Sequence, residues 1–356
     1  MTSVDPPKAQ ALSEGALGVA LLHIERGDHT AAKRLLAMAV TDGVSVGANA
    51  SLFHGAPALE FVLRCAQRTD LTLQNAVDRV VAARLAAALR RREAGRLPHL
   101  AEFDLIRGLT GLGALLLSRP SRSGLIEEVL TALVSLARPV ESDGRLLPGW
   151  WSADGPGHEP IVGGHSNNGM AHGIAGPLAL LSLATGQGVE VEGQLAAIDR
   201  FAGWLDRYGA SYWTTRDQIT DGEPAPSIPL RPSWCYGALG VVRALQLAAI
   251  ALDDSARRQA AEDRALAALT DTGHLNLITD VSLCHGWAGV LTVTRSIAAD
   301  SRTPHRFAAH IEYLRRRVDS EIGALTKPGF LEGRAGARLA LDGTDATGWT
   351  RALLIA

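Results

Sequence analysis

The stretch Val281-Ser-Leu-Cys284-His285-Gly286-Trp287-Ala288-Gly289 sets the pattern on which the rest of the chain is built. A second stretch, Arg231-Pro-Ser-Trp-Cys235-Tyr236-Gly237-Ala238-Leu239-Gly240, has the same form: a Cys, then a Gly-x-x-Gly unit, then an apolar run. Cys235, Cys284 and His285 are therefore candidate ligands for a metal ion that prefers sulfur and nitrogen. Zinc is the natural occupant of such a site, and three protein ligands leave a fourth position open.

The spacing of these residues is not a standard zinc signature, because the chain has no Cys-x-x-Cys pair. Each Cys taken alone is more simply explained as a small buried hydrophobe. Neighbouring residues on a helix point about 100° apart, so Cys284 and His285 can face one ion only near a turn or a helix start. Gly286 makes such a turn easy. Both interpretations stay open at this point.

The Gly-x-x-Gly unit, or a near variant, recurs along the chain at intervals of 40 to 65 residues. Seven such units precede apolar runs, at residues 15–18, 55–58, 108–111, 173–176, 237–240, 286–289 and 333–336. Each interval has room for two helices, and segments such as Asn75–Arg92 and Gln194–Tyr208 carry apolar residues at helical spacing. Strand-like alternation is scarce. The pattern predicts an all-α protein, an α/α toroid of seven inner and seven outer helices that forms one domain over residues 1–356.

Small residues at the start of each helix would let the helix starts crowd together at one end of such a ring. The residue before the first Gly of a unit would then point into a common mouth; these residues include His54, Arg107, His172, Tyr236 and His285. Residues 138–170 and 208–234 are rich in Gly, Pro and aromatic side chains and interrupt the regular alternation of glycine units and helical segments. They are interpreted as walls over the mouth, with a plain surface connection as the alternative for each.

The composition limits the kinds of protein this can be. The 356 residues are 47% hydrophobic with a formal net charge of −2, so bulk attraction to nucleic acid or an anionic membrane is not expected. Three Cys argue against a disulfide framework and for a reducing compartment, and Cys65, in an apolar helix, is expected in the core. Neither a long apolar run nor a signal-peptide pattern is found. The sequence predicts a cytoplasmic protein without an integral membrane segment.

Taken together, these motifs resemble the LanC-type lanthipeptide cyclases. The resemblance rests on the repeated Gly-x-x-Gly units and on three segments: Asn167-Asn-Gly-Met-Ala-His172-Gly-Ile-Ala-Gly176, Trp234-Cys-Tyr-Gly237 and Cys284-His-Gly286. It extends from Gly15 to Gly336. The resemblance implies an α/α toroid with one catalytic zinc. Members of the family cyclise ribosomally made precursor peptides, adding Cys thiols to dehydroalanine or dehydrobutyrine that a separate dehydratase makes from Ser or Thr.

The resemblance also implies which residues would carry this chemistry. The implied partners are a dehydrated precursor peptide with its leader and a lanthipeptide dehydratase. The family's zinc ligands match Cys235, Cys284 and His285. Its active-site His matches His172, its acidic partner matches Asp104, and its Arg and Tyr match Arg231 and Tyr236.

Ring closure needs a thiolate, stabilisation of an enolate and a proton donor. A substrate thiol at the open zinc position would lose its proton on coordination. Arg231 is the candidate donor to the enolate oxygen, and His172 is the candidate acid because imidazoles titrate near neutral pH. Asp104 would orient His172, with a helix cap or a salt bridge to Arg107 as an equal alternative. Tyr236 is either a further donor or an aromatic residue that lines the mouth.

Other functions fit parts of the sequence. A LanC-like protein that binds or adds glutathione would keep the fold without closing rings. A prenyltransferase-like toroid would have Asp two residues before its zinc Cys, where this chain has Ser233 and Ser282. A toroidal glycosidase needs paired carboxylates, and acidic residues near the glycine units are few: Asp104, Glu332 and Glu14. Without zinc, a non-enzymatic scaffold is the remaining alternative.

Overall fold

The structure is a computed structural model that describes residues 9–120, 124–221 and 230–356. Helices dominate the described residues. The α-helices are α1 (Ala16–Glu25), α2 (His29–Val40), α3 (Ala56–Cys65), α4 (Leu71–Glu93), α5 (Leu100–Phe103), α6 (Leu109–Leu117), α7 (Leu125–Ser135), α8 (Ala175–Gly186), α9 (Gln194–Tyr208), α10 (Arg216–Asp221), α11 (Ala238–Ala251), α12 (Ser255–Thr270), α13 (Thr272–Leu275), α14 (Trp287–Ala299), α15 (Ala308–Glu321) and α16 (Arg334–Asp342). Three 3₁₀ helices span Pro304–Phe307, Ile322–Ala324 and Trp349–Leu353.

The positions of the helices agree with the positions of the Gly-x-x-Gly units in the sequence. Seven of the helices, which we call the glycine-headed helices, begin inside a Gly-x-x-Gly unit, one or two residues after its first Gly; they are α1, α3, α6, α8, α11, α14 and α16. Most of them are apolar, and all nine residues of α6 are buried, whereas α16 contains Arg334, Arg338 and Asp342. Each of the first six is followed by a longer surface helix, and α9 has the bounds that its periodicity predicts. No helix in the described ranges is both long enough and apolar enough to cross a membrane.

The chain divides into two compact units. The first contains residues 9–80 and 278–356, and in it α14, α16, α1 and α3 pack side by side in that order. The second contains the described residues of 81–277, and in it α6, α8 and α11 pack side by side. Within each unit, taken by itself, the glycine-headed helices therefore form a layer, and the intervening helices pack against it. The prediction of a single domain over residues 1–356 stays a prediction.

The stretches predicted as walls contain short strands that the sequence did not reveal. The strands are β1 (Val140–Ser142), β2 (Arg145–Leu147), β3 (Ser152–Asp154), β4 (Pro160–Asn167) and β5 (Trp213–Thr215). β1 pairs with β2, and β3, β4 and β5 form an antiparallel sheet in that order. The strands were missed because most are three residues long and because β5 pairs with β4 from far along the chain. Trp150 and Trp151, which lie within the first predicted wall, are buried in the core. Residues 222–229, part of the second predicted wall, lie outside the described residues.

The second Gly of a unit is required because the preceding loop lies against the first turn of its own helix. A Cβ on Gly240 would overlap the carbonyl oxygen of Trp234, and one on Gly289 would overlap that of Leu283. In both turns the carbonyl belongs to the residue six positions earlier. In these two turns glycine therefore allows the loop backbone to approach its own helix closely. The sequence had instead suggested that glycine allows neighbouring helix starts to approach one another.

Candidate functional site

The turns that precede the glycine-headed helices are joined to their neighbours by backbone hydrogen bonds. In the second unit the amide of Leu105 donates to Ala171 (3.1 Å), and the amide of Ala171 donates to Cys235 (3.1 Å). In the first unit the amide of Cys284 donates to Leu331 (2.9 Å), which donates in turn to Ser13 (2.8 Å). We call these contacts the backbone ladder. Within each unit the ladder brings side chains together that lie 40 or more residues apart in sequence.

In the second unit the ladder places Asp104 against His172. Nδ1 of His172 lies 2.6 Å from Oδ2 of Asp104, whose side chain is fully buried. The other carboxylate oxygen accepts the backbone N–H groups of Arg107 (2.6 Å) and Gly108 (2.8 Å). Nε of Arg107 lies 3.9 Å from Oδ2. The sequence presented a turn-capping role and a role beside His172 as alternatives for Asp104, and the structure has both contacts at once.

Tyr236 lies beside the same histidine. Its ring stacks on the ring of His172, with centroids 5.9 Å apart and planes inclined by 29°. Nδ2 of Asn167 donates to the Tyr236 hydroxyl (3.2 Å), and the backbone N–H of Gly169 donates to Oδ1 of Asn167 (3.1 Å). The Gly169 contact fixes which way the amide faces, so the tyrosine oxygen must accept from Asn167. Asn167 belongs to the motif that suggested the family, but the sequence assigned it no role.

One predicted wall is attached to this site through Arg107. Its Nη2 donates to the carbonyl of Pro156 (2.6 Å), and its Nη1 lies 2.7 Å from Nε2 of His158. Both partners lie in the connection between β3 and β4. This connection is therefore tied to the turn that carries Asp104, as expected of a segment that borders the site.

Arg231 and Cys235 lie in the turn before α11. In the described part of the chain, Nε of Arg231 is buried and has no hydrogen-bond partner. Cys235 is buried, and its sulfur lies 3.8 Å from the hydroxyl of Ser233. This turn thus contains a buried donor nitrogen and a buried sulfur.

In the first unit the turn before α14 also contains a histidine–aspartate pair. Nε2 of His285 lies 2.8 Å from Oδ2 of Asp280, and the amide of Ser282 donates to Oδ1 of Asp280 (2.7 Å). Burial alone would raise the pKa of the Asp280 carboxyl, but hydrogen bonds from His285 and Ser282 outweigh burial and lower the pKa below its usual value. Asp280 was not among the residues predicted from the sequence. A comparison of the two turns could have identified it, because Asp280 precedes Gly286 by the same number of residues as Arg231 precedes Gly237.

The three predicted metal ligands are side chains of the kind that a zinc ion binds. Cys284 and His285 are adjacent in the turn before α14 of the first unit, and Cys235 lies in the turn before α11 of the second unit. Two sulfurs and one imidazole are a donor set that zinc accepts, with room for a fourth ligand. Cys65 differs from the other two cysteines, because burial raises the pKa of its thiol to about 12 and makes it unreactive, as its predicted place in the core implies.

Known proteins resemble the chain over most of its length. The family model described as lanthionine synthetase C-like protein matches residues 6–354. The nisin biosynthesis protein NisC of Lactococcus lactis subsp. lactis is 26% identical over 208 residues, which are 53% of this chain and 48% of that protein. The chain thus matches about half the length of this curated relative. The solved structure of a nisin cyclase has 20% identity and a TM-score of 0.82, covering 99% of this chain and 93% of its own. That likeness confirms the predicted all-α, α/α toroid fold.

Proposed function

The chain belongs to the lanthionine synthetase C-like family, and from that premise we propose that it is a zinc-dependent lanthipeptide cyclase. The reaction adds Cys thiols of a dehydrated precursor peptide to dehydroalanine or dehydrobutyrine and forms lanthionine or methyllanthionine rings. The observation that carries the proposal is the buried Asp104–His172 pair beside Tyr236. It supplies an oriented acid in a protein whose Cys and His residues suit a thiol-activating metal.

The proposed zinc ligands are Cys235, Cys284 and His285. Their donor chemistry fits zinc, since two thiolates and a neutral imidazole leave one coordination position for a substrate. Zinc, when bound, supplies a Lewis acid at which a substrate thiol is deprotonated at neutral pH. Reduced cysteines are essential to such a site, which is the reason for placing the protein in the cytoplasm.

The remaining steps fall to side chains of the second unit. The substrate sulfur bonds to the β-carbon of the dehydro residue, the π electrons move onto the carbonyl oxygen, and the α-carbon then takes a proton. Arg231 donates to the developing oxyanion, a role supported by its buried Nε, which has no hydrogen-bond partner in the described part of the chain. His172 delivers the proton from Nε2, because its Nδ1 is held by Asp104. Tyr236 is a second donor beside His172.

The partners follow from this chemistry. A separate dehydratase must supply the dehydro residues, since the chemistry assigned to these side chains includes no dehydration step. The substrate is a precursor peptide that carries both dehydro residues and cysteines, together with its leader.

A direct assay uses a synthetic peptide with one dehydroalanine and one Cys, incubated with the zinc-supplied protein. Ring closure leaves the peptide mass unchanged but removes the thiol that iodoacetamide labels, so mass spectrometry after labelling counts open peptides. We expect about one zinc per chain and loss of labelling. Cys284→Ala should lose both the metal and the activity.

The same assay with glutathione present separates the competing function. A product heavier by one glutathione, with the peptide thiol still labelled, would identify a glutathione-adding protein instead of a cyclase. A protein that binds no zinc when zinc is supplied would contradict both functions.

A further inference from the structure

Asp280 has no part in the chemistry above, yet both of its carboxylate oxygens are engaged. Oδ1 accepts the amide of Ser282 at 2.7 Å, and Oδ2 lies 2.8 Å from Nε2 of His285. A Cβ on Gly286 would overlap Oδ1, so only glycine at this position leaves room for the carboxylate. The amide of His285 also donates to the Ser282 hydroxyl (3.3 Å). The seven residues 280–286 thus hold one imidazole and one carboxylate in a fixed relation.

The turn before α16, in the same unit, has a different pair of side chains at the positions equivalent to Asp280 and His285. Lys327 and Glu332 stand six residues and one residue before Gly333, as Asp280 and His285 stand before Gly286. Lys327 donates to Glu332 in an ion pair. These two turns therefore link the same two positions, and of the two it is the Asp280 turn that places a carboxylate on a histidine.

We propose that Asp280 is a positioning residue for the metal site, which holds His285 in the tautomer that binds zinc through Nδ1. The inference rests on the proposed function. A carboxylate can only accept, so the nitrogen that faces Asp280 must carry the hydrogen. A neutral imidazole has one N–H, and its lone pair is then on Nδ1. A carboxylate in this position also makes the imidazole a better electron donor to a metal.

The proposal predicts a loss of metal affinity without a loss of fold. Outer-shell partners of a ligating histidine typically contribute about 10–100-fold in metal affinity. Asp280→Ala should lower zinc affinity by about that factor. Asp280→Asn should lie between wild type and Asp280→Ala, because its amide oxygen still accepts from Nε2 but has lost the charge.

Zinc affinity is measured by competition with a chromogenic chelator, starting from the metal-free full-length protein. Glu332→Gln is the matched control: it breaks the equivalent pair in the neighbouring turn and should leave zinc affinity within about twofold of wild type. Equal affinities for wild type and Asp280→Ala would overturn the inference and leave the proposed function standing. A wild-type protein that binds no zinc would overturn both.

Cobalt(II) spectra of the same variants separate loss of positioning from general damage. Thiolate-to-cobalt absorption should persist in Asp280→Ala, because Cys235 and Cys284 are untouched. Its d–d bands should shift away from those of wild type, because the imidazole is no longer held in one tautomer. Wild-type d–d bands in Asp280→Ala would show that the imidazole is held without Asp280 and would refute the positioning role.

Discussion

The turns before the glycine-headed helices contain a histidine–aspartate pair in each unit, and the two pairs join the same kinds of side chain in opposite ways. Asp104 is fully buried and stands 68 residues from His172 in sequence, whereas Asp280 is 31% exposed and belongs to the same short turn as His285. Asp104 engages Nδ1 of its histidine, and Asp280 engages Nε2. The first pair therefore leaves the nitrogen farther from the backbone for contact with a substrate. The second leaves the nitrogen nearer the backbone, which suits a ligand whose neighbour in sequence, Cys284, is also a proposed ligand.

The way each pair is held explains this difference. The Asp104–His172 pair depends on the backbone ladder, which brings two turns of the second unit together. The Asp280–His285 pair needs only the backbone of its own turn and the space that Gly286 leaves. The long-range pair should therefore be sensitive to the packing of the unit, and the local pair should form wherever its turn forms.

The largest expected effect separates the proposed roles of the two histidines. His172→Ala should reduce ring closure by about 10²–10⁴-fold while zinc content stays near one per chain, because general acid catalysis contributes in that range. His285→Ala should lose zinc as well as activity. The measurements are the iodoacetamide assay and metal analysis of the same preparations. Retained ring closure in His172→Ala would remove this histidine from the mechanism.

A smaller effect concerns stability and sharpens the contrast between buried and exposed carboxylates. Asp104→Ala should lower the free energy of unfolding by about 2–4 kcal/mol, because two backbone N–H groups lose their buried acceptor. Asp280→Ala should cost less than about 1 kcal/mol, as expected of a partly exposed pair. Urea unfolding of the metal-free proteins measures both values.

Asp104→Asn provides the control for that comparison. Its side-chain oxygen can still accept the two backbone N–H groups, so it should be more stable than Asp104→Ala while still disturbing His172. Equal costs for Asp104→Ala and Asp280→Ala would contradict the assignment of Asp104 as a long-range structural anchor.

The smallest effect is a dependence of stability on pH through Asp280. Hydrogen bonds outweigh burial and lower the pKa of this carboxyl in the folded protein, while an unfolded Asp titrates at about 3.9. The stabilisation is therefore present above about pH 4 and is lost as the pH falls through the lower folded value. Between about pH 5 and pH 3, metal-free wild type should lose more stability than Asp280→Asn. Parallel pH curves for the two proteins would refute this linkage.

The fold was largely predictable because its signal is repeated. Seven glycine units separated by room for two helices indicate a ring of helical hairpins. The helix α9 has its predicted bounds, whereas α4 begins four residues before the predicted Asn75 and ends one residue after the predicted Arg92. The strands were not predictable, since the pairing of β4 with β5 joins residues such as His165 and Thr215 across 50 positions. Trp150 and Trp151, assigned to a wall, are buried for a related reason: the sequence does not reveal which side of a connection faces the core.

The site was predictable in part. Family resemblance pointed to Asp104, His172 and Tyr236, and the structure brings these three side chains into contact. It did not point to Asp280, although the turn that holds it is local. A single acidic residue five positions before a histidine is common, and it becomes informative only when the hydrogen-bond geometry is known. The role of Asn167 depends on a hydroxyl 69 positions away and was equally out of reach.

Local sequence is enough to specify the helical class, the repeated turn and the identity of the side chains that stand next to each helix start. These properties follow from local physics: a glycine is needed wherever a loop lies against the helix that it begins. The folded arrangement of each unit is needed to establish which turns are neighbours and which ring nitrogen of each histidine is engaged. Hydrogen bonds between backbone segments that are distant in sequence determine this arrangement, and no repeated sequence pattern marks them.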